Sequence, residues 1–487
     1  MSTLQDLNQV LSRKQAILEA NAAGAEQQKQ GGKLSARERV ALLLDEGSFV
    51  EQGMLHCDAG VVTGSGTVDG RPVFVLAQDF AVLHGAVGAA QAKKIVRVLD
   101  QARKTGTPVV AMCDSNGARV GEGAAALEAY ADVFAHMARL SGVVPMITLV
   151  LGSCVGAAAM MAELSDIAIV AKPAGALLVA GPQVLASKMG KDVSAQELGG
   201  GKAAVESGAA QIACESEEEA VATAKTLLAM LPANNLEDAP FAPEEDMNRK
   251  VEGLEAGADG MAVITALADG GSVVELGKGY TQAVTALARM AGRTVAFVYT
   301  GKGDTCDKRM DKIARVVRFA DCYNIPVVSL VDSTGLALRD TVSGQMGVLK
   351  AASRLVYAYS EATTVKVTLV VGNAVGAAYV AMGGSANADA TYAWPGAVIS
   401  PMTGEAAIQI MWPEKIREST GDALAARAEL AAKYEAEVAD GVNAAAQGLV
   451  DDVIDPADSR KMVIAALELL SSKRDSNPPK KHGNMPL

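Results

Sequence analysis

Two stretches of the chain repeat one pattern of apolar and polar positions. From Lys93 to Lys104, and again from Lys312 to Tyr323, apolar residues recur at three- and four-residue intervals, which predicts two amphipathic helices. A short turn and then Pro108 or Pro326 follow each. The runs "PVVAMCD" and "PVVSLVD" come next, unbroken in their hydrophobicity, and predict strands buried on both faces that end at Asp114 and Asp332. After a glycine-containing loop and another helical stretch, a second apolar run appears, "MITLVL" from Met146 and "KVTLVV" from Lys366. Strands separated by helical stretches predict βαβ units and a largely parallel sheet.

The similarity extends to identities. Lys94–Gly117 and Lys312–Gly335 agree at 11 of 24 positions at an offset of 218, and "GSCVGAAAMMA" from Gly152 agrees with "GNAVGAAYVAM" from Gly372 at five of 11 at an offset of 220. The slip of two falls between the motifs, where a surface loop absorbs an insertion at little cost. A unit of this length is too long for a solenoid repeat and fits two domains of one fold. The proline-rich, acidic stretch Leu231–Lys250 reads as the linker, which places an N-terminal domain at 1–235 and a C-terminal domain at 236–487. Ser35 and Glu38 stand at capping-box spacing and predict a helix start. The first two dozen residues read as a polar-faced helix without the apolar core of a signal peptide, and residues 476–487 read as an extended tail.

Composition narrows the function. Lys and Arg total 44 against 56 Asp and Glu, a net charge of −12, and no basic stripe is interleaved with aromatics, so nucleic acid is not an expected partner. No apolar run reaches the roughly 20 residues of a membrane span, and the expected location is the cytoplasm. Six scattered cysteines (Cys57, Cys113, Cys154, Cys214, Cys306, Cys322), with no C-x-x-C, read as small buried hydrophobes in a reducing compartment. Four histidines in no ligand spacing predict no metal site.

The repeated small-residue turn is the candidate for chemistry. The strand is expected to end at Leu151, with glycine turning the chain and Gly156, Ala157, Ala158 and Ala159 opening a helix. The first amides of a helix have no partner inside it and lie at its positive end, so they can hold a developing negative oxygen. An oxyanion hole built this way is worth about 3–4 kcal/mol per donor. Close helix–strand packing selects the same small residues, and duplication copies packing as faithfully as chemistry.

Further stretches carry a resemblance. "KLSARERVALLLDEGSFVE" from Lys33, "QDF" at Gln78–Phe80, "DSNGARVGEG" at Asp114–Gly123, "QELGG" at Gln196–Gly200, "LPANNLED" at Leu231–Asp238, "NIPVVSLVD" at Asn324–Asp332 and the ending "KKHGNMPL" resemble the carboxyltransferase subunit of biotin-dependent acyl-CoA carboxylases and decarboxylases, such as propionyl-CoA carboxylase β and methylmalonyl-CoA decarboxylase α. The resemblance implies an α/β chain of two tandem crotonase-like ββα-superhelix domains. It implies an acyl-CoA site in the N-terminal domain, and biotin arriving through the C-terminal domain of a partner subunit in a dimer-based homo-oligomer, commonly a hexamer. By motif, Gly156 and Ala157 match the pair that stabilises the thioester enolate, while Ala377 and Ala378, with Gly376 as the turn, match the pair on the biotin ureido oxygen. Gly117, Ala118 and Arg119 match a loop lining the acyl-CoA site, with Arg119 a candidate for a CoA phosphate or for a surface ion pair. Tyr379 and Trp394 are candidates for lining the biotin cleft or for the core. The implied reaction moves CO2 between carboxybiotin and the α (or vinylogous) carbon of a short acyl-CoA, with two oxyanions to stabilise.

Partners follow from what the chain lacks. It has no "MKM" biotinyl motif, "SKMGK" at Ser187–Lys191 having the wrong order, and no "GxxxxGK[ST]". Biotin must then come on a separate carrier protein, with biotin carboxylase or membrane decarboxylase subunits completing the complex. Departures from the family pattern occur at "AVLHGAVGAA" after "QDF", where His84 stands, and in the second half, where Asp332–Gly347 lacks a Pro-Gly segment and Gly372 and Asn373 replace basic residues. These departures motivate an alternative, a catalytically weak scaffold subunit paired with an active paralogue; another is the decarboxylase α subunit of a sodium-pumping complex. A crotonase-like hydratase would need a carboxylate beside the first turn, for which Glu163 is the near candidate. Asp114 and Asp332 are expected to serve turn or capping hydrogen bonds rather than acid–base catalysis.

Overall fold

The structure, a computed structural model, describes residues 3–56, 59–418 and 422–486; Cys57 lies outside them. The chain forms two compact units, Met1–Asp238 with Gly277–Tyr280, and Ala239–Leu276 with Thr281–Leu487.

The first unit opens with α1 (Thr3–Gln30), a largely exposed helix, and α2 (Ala36–Leu43), which begins in the capping box of Ser35 and Glu38. Strands β1 (Val50–Gln52), β2 (Val61–Val68) and β3 (Arg71–Gln78) run antiparallel. The β2–β3 hairpin turns on Asp69 and Gly70, both at positive φ, as a two-residue turn between twisted strands requires. Next come α3 (Ala89–Thr105), β4 (Val109–Ser115), α4 (Ala124–Leu140), β5 (Met146–Val155), α5 (Ala157–Glu163), β6 (Ile167–Ala171) and β7 (Ala176–Leu178). Three short helices, α6 (Pro182–Met189), α7 (Ala195–Gly199) and α8 (Gly201–Ser207), lead to β8 (Ile212–Cys214) and α9 (Glu217–Met230). The sheet order is β1-β2-β3-β4-β5-β6-β8, parallel from β3 onward, with β7 paired to β5 off that path. Ile95, Val98, Leu99 and Ala102 form the buried stripe of α3 and join Tyr130, Val133 and Met137 of α4 in one core with the sheet.

The second unit repeats this plan. Its strands are β9 (Val274–Leu276), β10 (Val284–Met290), β11 (Arg293–Tyr299), β12 (Asp304–Thr305), β13 (Val327–Ser333), β14 (Gly335–Leu336), β15 (Lys366–Val375), β16 (Ala390–Ala393), β17 (Val398–Ser400) and β18 (Asp452–Val453). The order β9-β10-β11-β13-β15-β16-β18, with β17 on β15, matches the first sheet strand for strand, and β12 and β14 form a separate pair. Its first helices are α10 (Gly260–Leu267), α11 (Asp307–Cys322), α12 (Val342–Glu361) and α13 (Gly376–Ala381).

Two expectations need correction. Strand β5 does not end at Leu151 but runs on to Val155, exchanging β6 for β7 as neighbour on the way. The register against β4 shifts between Cys113 and Ser115, and the β13–β15 register shifts in the same place, between Val331 and Ser333. The glycines at 152 and 372 are therefore strand residues within the shift, and the reversal comes later, at Gly156 (φ 60°) and Gly376 (φ 63°). The cysteines also differ from expectation: Cys113, Cys154 and Cys214 are buried, Cys306 is partly exposed and Cys322 is exposed.

A carboxylate explains the strand glycines. A Cβ on Gly152 would overlap Oδ1 of Asp114, and one on Gly372 would overlap Oδ1 of Asp332. Overpacking of a rigid core costs about 1–3 kcal/mol and more when backbone must move. Gly152→Ala is expected to lose at least about 3 kcal/mol in urea denaturation, and unchanged stability would contradict this account.

Candidate functional site

In the first unit the register shift delivers two chain reversals side by side. From Ser115 at the end of β4 the chain runs through Asn116, Gly117 and Ala118; Gly117 takes φ 100°, and a Cβ there would lie 3.3 Å from the Val155 carbonyl oxygen. The Gly117 N–H donates to Ser115 Oγ, while its carbonyl accepts from Val87 N–H at 2.8 Å, and Val87 carbonyl accepts from Arg119 N–H at 2.9 Å. Both neighbours of Ala118 are thereby fixed, and the Ala118 N–H has no hydrogen-bond partner among the described residues.

The second reversal is the start of α5. Gly156 is its N-cap and donates its own N–H to the Leu178 carbonyl at 2.7 Å, so of the expected pair only Ala157 offers a free amide. Gly156 supplies the turn instead of a donor. No side chain caps α5, which leaves the amides of Ala157 and Ala158 without partners, as the first turn of any helix requires unless something caps it. The Ala157 side chain is a half-buried methyl, so an approaching oxygen meets little more than backbone.

Arg119 turns inward. Its side chain is 9% exposed, with Nε donating to the Ala86 carbonyl at 3.0 Å and Nη1 lying 3.5 Å from Glu122. Glu122 accepts from the Ala89 N–H at 2.7 Å, so the pair ties the loop before α3 to the loop after β4. The ion-pair alternative fits this geometry. His84 sits in that first loop at φ 54°, exposed, with its ring tilted 59° against Phe80 at 5.0 Å, and its carbonyl accepts the Asn116 N–H at 3.1 Å. His84 thus supports the site through backbone. Glu163 closes α5 at the end opposite the free amides, which withdraws it from the hydratase alternative.

Sequence reading missed a buried ionic network beneath these loops. Asp114 is fully buried, and its Oδ2 lies 3.0 Å from Arg39 Nη1 and 2.5 Å from Lys33 Nζ. Arg39, equally buried, grips Glu217 with two bonds of 2.6 and 2.8 Å and donates to the Leu151 carbonyl at 3.1 Å. Glu217 opens α9, where the positive helix end suits a carboxylate. Separations of 75 and 178 residues left no local signal for these contacts. Asp79 of "QDF" is buried close by, and burial pushes its carboxyl pKa up.

The second unit builds the corresponding place differently. Asp332 Oδ1 accepts from the Asn373 backbone N–H at 2.9 Å and side-chain amide at 3.1 Å. The departure at Gly372 and Asn373 is thus one built feature: a side-chain-free position beside the carboxylate, then an amide that bonds it. Gly376 and Ala377 open α13 with no side-chain cap; Ala377 is exposed and Ala378 buried. Tyr379 is half-buried against a small core of Val331, Val370 and Ala374, and Trp394 is fully buried with Nε1 donating to Ser459 Oγ at 2.7 Å. Trp394 is a core residue. The altered segment after β13 is ordered by Arg339 with Asp307 at 3.1 Å and by Thr341 capping α12.

No group of three or more His, Cys, Asp or Glu side chains able to hold a metal occurs among the described residues, and no described helix is long and apolar enough to cross a membrane.

Two tandem α/β units, each ending its central strand in an uncapped helix turn, define the class. Residues 27–485 match the carboxyl transferase domain, and the chain belongs to that family. It is 39% identical, over 100% of its length and 98% of the relative's, to the methylmalonyl-CoA carboxyltransferase 12S subunit of Propionibacterium freudenreichii subsp. shermanii. It is 37% identical to the methylmalonyl-CoA decarboxylase subunit alpha of Propionigenium modestum, over 99% of each chain. A crystal structure of transcarboxylase 12S, described as a hexamer assembly with methylmalonyl-coenzyme A and methylmalonic acid bound, superposes with a TM-score of 0.92 at 38% identity, covering 100% of this chain and 99% of that one. The expected crotonase-like α/β fold and the assignment to biotin-dependent acyl-CoA carboxyltransferases hold.

Replacing Arg39 by Met leaves Glu217 and Asp114 buried with their main counter-charge gone. Breaking a buried ion pair from one side costs about 3–5 kcal/mol. Urea denaturation of Arg39→Met should show a loss of that size, and a change below about 1 kcal/mol would remove the network from its supporting role.

Proposed function

We propose that the chain transfers CO2 between carboxybiotin, carried on a separate protein, and the α-carbon of methylmalonyl-CoA or its decarboxylated partner propionyl-CoA. The observation that supports it most is the pairing of full-length kinship with two relatives named for methylmalonyl-CoA and an uncapped amide turn in each unit. In this reading the N-terminal unit receives the thioester. Its carbonyl oxygen takes the Ala157 amide of α5 and the Ala118 amide of the neighbouring loop, while Gly156 and Gly117 give the backbone its turns.

The C-terminal unit takes the ureido oxygen of biotin on the amides of Ala377 and Ala378, with Gly376 turning the chain and Tyr379 packing behind it. The residues present fit that group: neutral backbone donors, an exposed methyl at Ala377, and no side chain occupying the cap. Carboxylated biotin, when bound, would supply the CO2 unit, and the biotin left once that N–C bond breaks would take up the acyl α-proton. The chain itself then needs no titrating group at the reacting carbon; its amides hold charge and its loops hold position, the two contributions that reduce such barriers most. A homo-oligomer, working with a biotin carrier and either a biotin carboxylase or membrane decarboxylase subunits, completes the proposal.

Purified chain incubated with free biotin and malonyl-, methylmalonyl- or glutaconyl-CoA should release CO2 from methylmalonyl-CoA in a biotin-dependent reaction, followed by mass spectrometry of the CoA products. Turnover of none of the three, with the CoA esters still bound, would instead support the scaffold alternative. A sharper check uses Ala157→Pro. Proline is accepted at the first position of a helix and removes only the N–H. The variant should lose about 10²–10³ in kcat while its affinity for CoA stays the same, and a kcat within about threefold of the parent would exclude the Ala157 amide as a donor.

A further inference from the structure

A second concave site lies on the flank of the first unit, where β1 and β2 meet α3. It is a cavity of roughly 410 Å³ lined by Gln52, Gly53, His56, Thr63, Lys93, Lys94 and Arg97. Among the described residues that line it, three are Lys or Arg and none is acidic, in a chain whose net charge is −12. Lys93 and Arg97 are exposed on one face of α3, and neither has an ion-pair partner among the described residues. Lys94 is different. It is buried, its stem runs under Gly53, and its ammonium makes one hydrogen bond, 2.5 Å to the Val61 carbonyl. An ammonium carries three donors, so two remain for the cavity.

The duplicated unit provides an internal control. Lys312 occupies the place of Lys94 and likewise reaches a strand carbonyl, that of Ala283, at 2.7 Å. Around it one charge is reversed and another kept, since Arg315 stands where the first unit has Arg97. Asp311 stands where the first unit has Lys93 and is held by Arg354 through bonds of 2.8 and 2.9 Å, while Glu275 of β9 acts on Lys312. In the first unit the matching strand residue, Glu51, is drawn away by Arg37 through bonds of 2.8 and 3.1 Å. Burial pushes the Lys94 pKa down, with Glu51 and Asp79 only partly offsetting that and Arg37 adding to it. The buried lysine and the arginine one turn on are common to both units; the cation at position 93, with no ion-pair partner among the described residues, belongs to the first alone.

We infer that this cavity is a phosphate-binding site, with Lys93 and Arg97 as the charged rim and Lys94 as the buried donor at its floor. Phosphate suits it because a dianion offers several acceptor oxygens to converging cationic donors. The phosphate can come as free inorganic phosphate or as the phosphate ester of a nucleotide, including the 3′-phosphate of a CoA ester.

The inference does not rest on the transfer reaction and is tested by binding alone. Inorganic phosphate is titrated calorimetrically into the full chain at low salt in a phosphate-free buffer, alongside K93E/R97E and the conservative K93R/R97K. Both substituted positions are exposed, and thermal melts verify that the variants fold. The parent should bind phosphate in a salt-sensitive way, K93R/R97K should stay within about threefold of it, and K93E/R97E should weaken it by at least about tenfold. No phosphate binding by the parent, or equal binding by K93E/R97E, would overturn the assignment. CoA and 3′-dephospho-CoA distinguish the source. If losing the 3′-phosphate weakens binding to the parent but not to K93E/R97E, the cavity holds the nucleotide end of the substrate. If the phosphate defect in K93E/R97E leaves CoA affinity untouched, the cavity serves a separate phosphate.

Discussion

A buried carboxylate lying against a strand position that can carry no side chain is the constraint on which the rest depends. Asp114 meets Gly152 and Asp332 meets Gly372, and in each unit the register between the two central strands shifts there. A carboxylate taken out of water must be compensated, so the surrounding backbone and side chains are committed to it. The shift leads the long strand away from one neighbour and onto another, β7 or β17. That change of course presents the glycine reversal and the first amides of α5 and α13 free of caps. Movement at the Asp–Gly contact would therefore be felt at the donors.

The two units meet the same constraint by different means. In the first, full charges do it: Arg39 binds Asp114, Glu217 and the Leu151 carbonyl together, and Lys33 reaches the same carboxylate. In the second, neutral amide donors do it, through Asn373. Both hold the N–H of the aspartate from a neighbouring strand end as well, with Gln78 Oε1 accepting from Asp114 and Thr300 Oγ1 from Asp332. A network of charges drawn from α2, β4 and α9 ties distant parts of the fold together, whereas the Asn373 solution is local. Duplication thus preserved geometry while its chemical support diverged.

What was legible in the sequence follows from this. The helices at Lys93–Lys104 and Lys312–Tyr323, the buried strands and the duplication were readable because periodicity and unbroken apolar runs are local properties. The continuation of β5 past Leu151 was not, because glycine signals a turn unless one knows that a carboxylate fills the space its side chain would take. The Arg39 network joins residues far apart in sequence and had no local trace. Arg119 and Trp394 show the opposite limit: residue type alone left each with two roles, and packing puts Trp394 in the core and Arg119 beside Glu122. The unpartnered amide of Ala118 had no trace in the sequence, because an alanine amide has no signature; what marks it is that Gly117 and Arg119 on either side are both bonded to Val87 while it is not.

Chemistry carried by backbone amides explains how such a site tolerates change. A side-chain catalyst must keep its identity, but an amide donor demands only that the residue be small and the turn be held. Alanine at 157 and 377 satisfies that as well as glycine, since both lie at helical φ and leave the reversal to Gly156 and Gly376. Selection on such a site then falls on what fixes the backbone, which is the aspartate, its partners and the glycine opposite. The two halves of the chain, identical at five of 11 positions across the turn, accordingly keep its glycines and alanines and differ in what supports the aspartate. In the proposed reading the path of the main chain is the functional element, and the side chains are the means of holding it.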